Sequence, residues 1–305
     1  MASSYLVIGL IFFTQTIVGF LGNVFLLCHY SLLYYTGCKL RPTDLILKHL
    51  TVANSLVLLS KGVPQTMAAF GLKHFLSDIE CKVVFYVHRV GRGVCIGSIC
   101  LLNVFQAITI SPMTFKWPKL KLTASRYIGP SNSLCWILNM LVNSIAPIHV
   151  TGKWNSKNNT RKKDLQYCSA VVSNITRRSL YTALILSYDV LCVGLMIWAS
   201  AFMVSTLYRH KKQVQHIHRT KLSPRSSPES RVTQKILILV GIFVSFYTFS
   251  SIFASFTSIF HNPSWWLPII STLFGACFPA VSPFVLMSHE SRISSWLHCF
   301  RPEMR

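Results

Sequence analysis

The chain has 305 residues, 51% of them hydrophobic and only 12% charged, about half the charged share of a soluble globular domain. That composition argues against a soluble enzyme and against a disordered tail protein. Thirty Lys and Arg against eight Asp and Glu give a net charge of +22. In a soluble chain this excess would point to nucleic acid, but here the cations alternate with long apolar runs, as in a polytopic membrane protein.

A helix crosses the hydrocarbon core with about 20 predominantly apolar residues. Read at that length, the chain offers seven spans: residues 6–27, 45–69, 83–110, 128–150, 180–208, 236–260 and 265–287. The second and third are the least clean, with Lys48 and Lys61 in one and Arg89 and Arg92 in the other; Asp189 in the fifth is the single acid. The links are too short for a separate module. The expectation is an all-α membrane protein, a seven-transmembrane helix bundle forming one domain over residues 1–305. The first span reads as a retained signal anchor, since no basic segment or cleavage site accompanies it. Past the seventh, Ile293, Trp296, Leu297 and Phe300 recur at helical spacing, which predicts a short amphipathic C-terminal helix at the inner membrane surface. Cys299 there is either palmitoylated or a bare thiol.

No charge precedes the first span, while Lys39 and Arg41 follow it, which favours an extracellular N-terminus. The loop after span three holds Lys116, Lys119, Lys121 and Arg126 without an acid. The loop after span five holds Arg209, Lys211, Lys212, Arg219, Lys221, Arg225 and Arg231 against Glu229. The loop after span four is basic as well, through Lys153, Lys157, Arg161, Lys162, Lys163, Arg177 and Arg178, so charge alone leans without deciding. Two further features agree on an external fourth loop. The sequons Asn158-Asn159-Thr160 and Asn174-Ile175-Thr176 both lie in it, which makes Asn158 and Asn174 glycosylation sites; a proline removes Asn262-Pro263-Ser264. Of ten cysteines only Cys81 and Cys168 fall on the expected outer face, where oxidising conditions would join them. Such a bridge removes on the order of 4 kcal/mol of unfolded-state entropy.

Several stretches together resemble the vomeronasal type 1 (pheromone) receptors, a branch of the G-protein-coupled receptors. They are FQAITISP (Phe105–Pro112), CWILNMLVNSIAPIHVTGKWN (Cys135–Asn155), HKKQVQHIH (His210–His218), SPESR (Ser227–Arg231), KILILVGIFVSFY (Lys235–Tyr247) and FPAVSPF (Phe278–Phe284). The resemblance runs over nearly the whole chain. Compared with ordinary rhodopsin-like receptors, Gly22-Asn23 fits their pattern. Asn54 replaces an aspartate, Phe105-Gln106-Ala107 replaces Asp-Arg-Tyr, and Ser282-Pro283 with Leu286 stands for Asn-Pro-x-x-Tyr. The vomeronasal branch shares these departures. The resemblance implies a plasma-membrane chemosensory receptor for a pheromone-like small molecule, either a volatile odorant or a sulphated steroid. Its partner would be a heterotrimeric G protein with an inhibitory-type alpha subunit, signalling through phospholipase C in vomeronasal neurons.

Arg89 and Arg92, three apart, share one face of span three and lie about 12 and 16 Å below Cys81. Intramembrane charge marks a ligand pathway or a structural pair. One reading gives the arginines, with His88 and Asp189, an anionic or strongly polarised ligand; a second has an arginine pairing with Asp189 to hold the bundle; a third has the arginines snorkelling to the interface, with His88 a packed imidazole. Gln106, Arg209, Lys211, Lys212 and Arg231 are the candidate G-protein contacts. His210, His216 and His218 lack acidic or thiol partners, so neither a metal site nor a cofactor is expected. Nucleic acid is not expected either. A bitter-taste-type receptor is the nearest rival. A transporter or channel would show acids along an ion path, a retinal protein would need a lysine in the seventh span, and no HExxH, GxSxG or paired carboxylates suggest an enzyme.

Overall fold

The computed structural model describes residues 2–36, 41–72, 75–111, 118–152, 162–164, 167–171, 175–217, 228–259 and 266–287. Helix α1 is Ala2–Tyr35. The second crossing is α2 (Pro42–Val57), running through a π-helical turn (Leu58–Gly62) into α3 (Val63–Ala69). Then follow α4 (Asp78–Ile110), α5 (Pro118–Asn143), a 3₁₀ turn (Ala146–His149) and strands β1 (Val150–Gly152), β2 (Lys162–Asp164) and β3 (Cys168–Val171). Helices α6 (Ile175–Ile217), α7 (Pro228–Ile259) and α8 (Trp266–Met287) complete the bundle. Five of the described helices are long and apolar enough to span a bilayer unaided: α1, α4, α6, α7 and α8. The two remaining crossings carry their cations, Lys48 and Lys61 in one, Lys119, Lys121 and Arg126 in the other.

The α4 helix is the centre post, packing against α2, α5, α6 and α7. Its buried face presents Val90, Val94, Ile96, Ile99 and Leu102. It opens with Ser77 at the N-cap: the Ser77 hydroxyl accepts from the Glu80 N–H at 3.3 Å, and the Ser77 N–H donates to Glu80 Oε2 at 2.7 Å. This Ser-x-x-Glu box satisfies two orphan helix donors. Gly93 and Gly97, four apart, let α5 and α6 approach closely. A Cβ at Gly93 would collide with the Asn139 side chain, and one at Gly97 with Cys135 and Tyr188. Small residues at this spacing allow backbones to pack without a hydrophobic driving force.

Outward faces invert the soluble pattern. Leu10, Phe13 and Leu21 of α1 and Leu186, Val190 and Trp198 of α6 are exposed, as lipid contact requires. Inside, polar groups are satisfied across helices. Pro283 in α8 has no N–H for the Pro279 carbonyl one turn back, and Asn23 Nδ2 of α1 donates to that carbonyl at 2.8 Å instead. Asn54 Nδ2 donates to Ser282 Oγ at 2.9 Å and to Asn23 Oδ1 at 3.3 Å, while Cys95 Sγ donates to Asn54 Oδ1 at 3.1 Å. The asparagine in place of an acid thus ties α1, α2, α4 and α8 together through neutral hydrogen bonds.

Three details differ from the reading of the sequence. The second crossing is broken by the π turn, because the ring of Pro64 clashes with the carbonyl four residues earlier and removes a donor. The fourth helix runs from Pro118 to Asn143, not over residues 128–150: Pro147 cannot continue it. Third, the chain adds a small antiparallel sheet, ordered β1-β3-β2, with Gly152 opposite Cys168 and Asp164 opposite Ser169. The expected amphipathic C-terminal helix and Cys299 lie outside the described residues.

Candidate functional site

Cys81 and Cys168 form a disulfide with their Cα atoms 6.0 Å apart, joining the first turn of α4 to β3. The same sheet is fastened a second time. Gly152 N–H donates to Asp78 Oδ1 at 3.0 Å, and a Cβ on Gly152 would stand 3.0 Å from the Asp78 backbone nitrogen. Tyr167 is buried beside the bridge, its ring 6.2 Å from that of Phe85; burial pushes its phenol up to about 12. The sheet therefore sits directly over the beginning of α4, at the end of the bundle nearest Arg89 and Arg92.

Below it, Arg92 of α4 pairs with Asp189 of α6, Nη2 to Oδ2 at 3.4 Å, and donates to the Tyr247 hydroxyl of α7 at 2.6 Å. Tyr247 in turn donates to Asp189 Oδ2. The guanidinium also lies over the Tyr247 ring, 4.9 Å from its centroid, a cation–π geometry. Asp189 is buried, and its charge is met by both a cation and a hydroxyl, as buried charge requires. One salt bridge thus ties three helices.

Beside this triad, a cavity of about 360 Å³ lies among α4, α5 and α6, within the size range of small-molecule sites. Arg89, Arg92 and Asp189 line one part of it, Asn139, Asn143 and Tyr188 another, and Leu138, Leu184 and Leu191 the remainder. Its polar wall is cross-linked. The Tyr188 hydroxyl donates to the Gly93 carbonyl at 3.1 Å and accepts from Asn139 Nδ2 at 3.3 Å, while Tyr181 donates to Asn143 Oδ1 at 2.9 Å. Arg89 faces the cavity half-buried, and makes no hydrogen bond or ion pair among the described residues. Lys61, on the π turn, adds a third cation to the same electrostatic neighbourhood, and His88 Nδ1 is buried without a described partner. The described part of the site therefore sets two arginines and one carboxylate on the cavity wall, with Lys61 near the arginines.

At the opposite end, Gln106 is buried and its Nε2 donates to Thr233 Oγ1 at 3.1 Å, joining α4 to α7. It points into the bundle instead of forming a surface. Arg209, His210 and Lys212 are exposed on the far end of α6. The side chains of Lys211 and Arg231 lie outside the described residues, although their backbones extend α6 and α7. Asn158 and Asn174 lie outside the described residues too.

Tyr247, Tyr188, Asn139 and Asn143 were not anticipated as site residues. Asn139 and Asn143 are four apart, on one face of a membrane helix, so that signal was available. Tyr247 stands in an aromatic-rich apolar run and carries none.

The helix bundle, with a sheet tethered by a disulfide to the start of α4, has the architecture of the G-protein-coupled receptors. The crystal structure of squid rhodopsin has the same fold, with a TM-score of 0.72 at 15% identity, covering 99% of this chain and 86% of that one. A profile described as the vomeronasal organ pheromone receptor family matches residues 6–299. The human vomeronasal type-1 receptor 3 is 60% identical over 96% of this chain and 94% of its own length, and human vomeronasal type-1 receptor 4 is 54% identical over 98% and 99%. A zebrafish (Danio rerio) protein named olfactory receptor class A-like protein 1 is 29% identical over 97% and 93%. The chain belongs to the vomeronasal type-1 receptor family. It is a multi-pass membrane protein and a chemosensory receptor of the G-protein-coupled class.

Proposed function

We propose that the chain is a plasma-membrane pheromone receptor, with the disulfide end outside, whose ligand carries an anionic group. The observation that carries this reading is Arg89 at the cavity wall, which makes no hydrogen bond or ion pair among the described residues, beside an Arg92 already committed to Asp189. Lone cations at membrane depth are costly, so an anion from outside is the natural complement. A ligand anion between the two arginines competes with Asp189 for Arg92 and loosens the tie among α4, α6 and α7. A ligand shifts a conformational equilibrium only through such differential contacts. At the inner end the Gln106–Thr233 bond holds α7 against α4. Release of α7 there opens the bundle toward a heterotrimeric G protein of the inhibitory type. Arg209 and Lys212, exposed at that end of α6, supply a basic surface near the opening, and Lys211 and Arg231 are the further candidate contacts. Asn158 and Asn174 are glycosylated on the outer loop.

The test is a calcium readout in cells expressing the receptor with a promiscuous G protein, comparing sulphated steroids with their neutral parent alcohols. The anionic members are expected to activate, with potency falling about tenfold or more in Arg89→Gln, the weight of one charge-assisted hydrogen bond. Equal potency of both members, or an indifferent Arg89→Gln, would overturn the assignment.

A further inference from the structure

Helices α5 and α6 both pack on α4, but their backbones stand apart and they meet through side chains, Asn139 with Tyr188 and Asn143 with Tyr181. The cavity described above fills that separation, with α4 as its floor. Three of its lining residues are also among the most outward-facing apolar side chains: Leu138 and Leu184 are each 46% exposed and Leu191 is 63% exposed. A residue that both lines a cavity and faces outward marks that cavity's mouth. This mouth therefore opens on the flank of the bundle, where the bilayer lies, while the disulfide-bound sheet covers the start of α4 at the bundle's end. Its interior is cationic, through Arg89, and carries hydrogen-bonding groups on Asn139 and Tyr188.

We propose that the gap between α5 and α6 is a lateral binding site for an amphiphile dissolved in the membrane, with one anionic group and one apolar body. The anionic group pairs with Arg89 and the apolar body lies across Leu138, Leu184 and Leu191. This inference rests on the receptor reading for its consequence, since it states how that receptor's ligand arrives. The chemistry follows from the two halves of the cavity. An aqueous ion has no reason to cross apolar lining, and a purely apolar molecule leaves Arg89 without a hydrogen bond or ion pair among the described residues, in a low-dielectric wall. An amphiphile satisfies both, and the cavity volume fits one small body.

The probe is a long-chain fatty acid bearing a diazirine on its chain, compared with its methyl ester. Purified receptor is reconstituted in phosphatidylcholine vesicles, irradiated and mapped by peptide mass spectrometry. Label is expected on the peptides holding Leu138, Leu184 and Leu191, falling about tenfold with the ester and in Arg89→Gln and retained in Arg89→Lys. Leu184→Trp, which narrows the mouth, is expected to reduce it while the Cys81–Cys168 bridge and monodisperse elution persist. Label spread evenly over the lipid-facing sides of α1 and α6, equal labelling by acid and ester, or indifference to Leu184→Trp overturns the proposal. So does displacement by an anionic phospholipid, which would make this a structural-lipid site. A sulphated steroid added from water separates the two readings: if it signals through Arg89 and still signals in Leu184→Trp, the receptor assignment stands and the lateral route falls.

Discussion

Arg89 and Arg92 differ by one helical turn and have different surroundings. Arg92 is held by Asp189 and by Tyr247, whereas Arg89 lines the cavity without a described hydrogen bond or ion pair. Removing the carboxylate leaves Arg92 with a hydroxyl alone. Asp189→Asn is therefore expected to cost about 3 kcal/mol, the low end for a broken buried pair because Arg92 is partly exposed, and Tyr247→Phe about 1 kcal/mol. Thermal unfolding of the purified receptor, followed by the reactivity of buried cysteines, measures both. An unchanged midpoint in Asp189→Asn would mean that the triad does not hold the helices. The arginines and Asp189 were legible in the sequence because charge within a membrane span is rare. Tyr247 was not, since which aromatic of α7 turns toward Arg92 depends on helix rotation, which no local spacing fixes.

The elements of the bundle were legible as apolar lengths, but their ends and interruptions were not. Hydropathy continues past Asn143, yet Pro147 ends the helix, and the β-bonded hairpin beyond depends on a distant covalent link. Hydropathy also passes smoothly through Leu58–Gly62, where the backbone widens to accommodate Pro64. The close approach of α4 to α5 depends on side chains that are absent. Gly93→Val is expected to push against Asn139 and destabilise the receptor by about 1–3 kcal/mol. Gly194→Ala in α6 meets nothing within 4 Å and should be neutral or stabilising by up to about 1 kcal/mol. The paired unfolding midpoints separate steric contact from helix propensity; equal shifts in the two variants would remove the packing role given to Gly93.

For the molecule as a whole, sidedness governs every functional statement, and charge counting alone left it undecided. An epitope inserted beside Trp154 is expected to be stained on intact cells, and peptide:N-glycosidase to increase mobility of the wild type but not of Asn158→Gln/Asn174→Gln. Staining that needs permeabilised cells would turn the protein over and place the arginine cavity beyond the reach of external ligands. The covalent tether has a further effect during biosynthesis. Cys168 emerges from the ribosome 87 residues after Cys81, so the first thiol waits unpaired while two crossings, α4 and α5, are made and inserted. Export from the endoplasmic reticulum would then be gated by one late oxidation, with chaperone thiols occupying the vacancy until the second cysteine arrives.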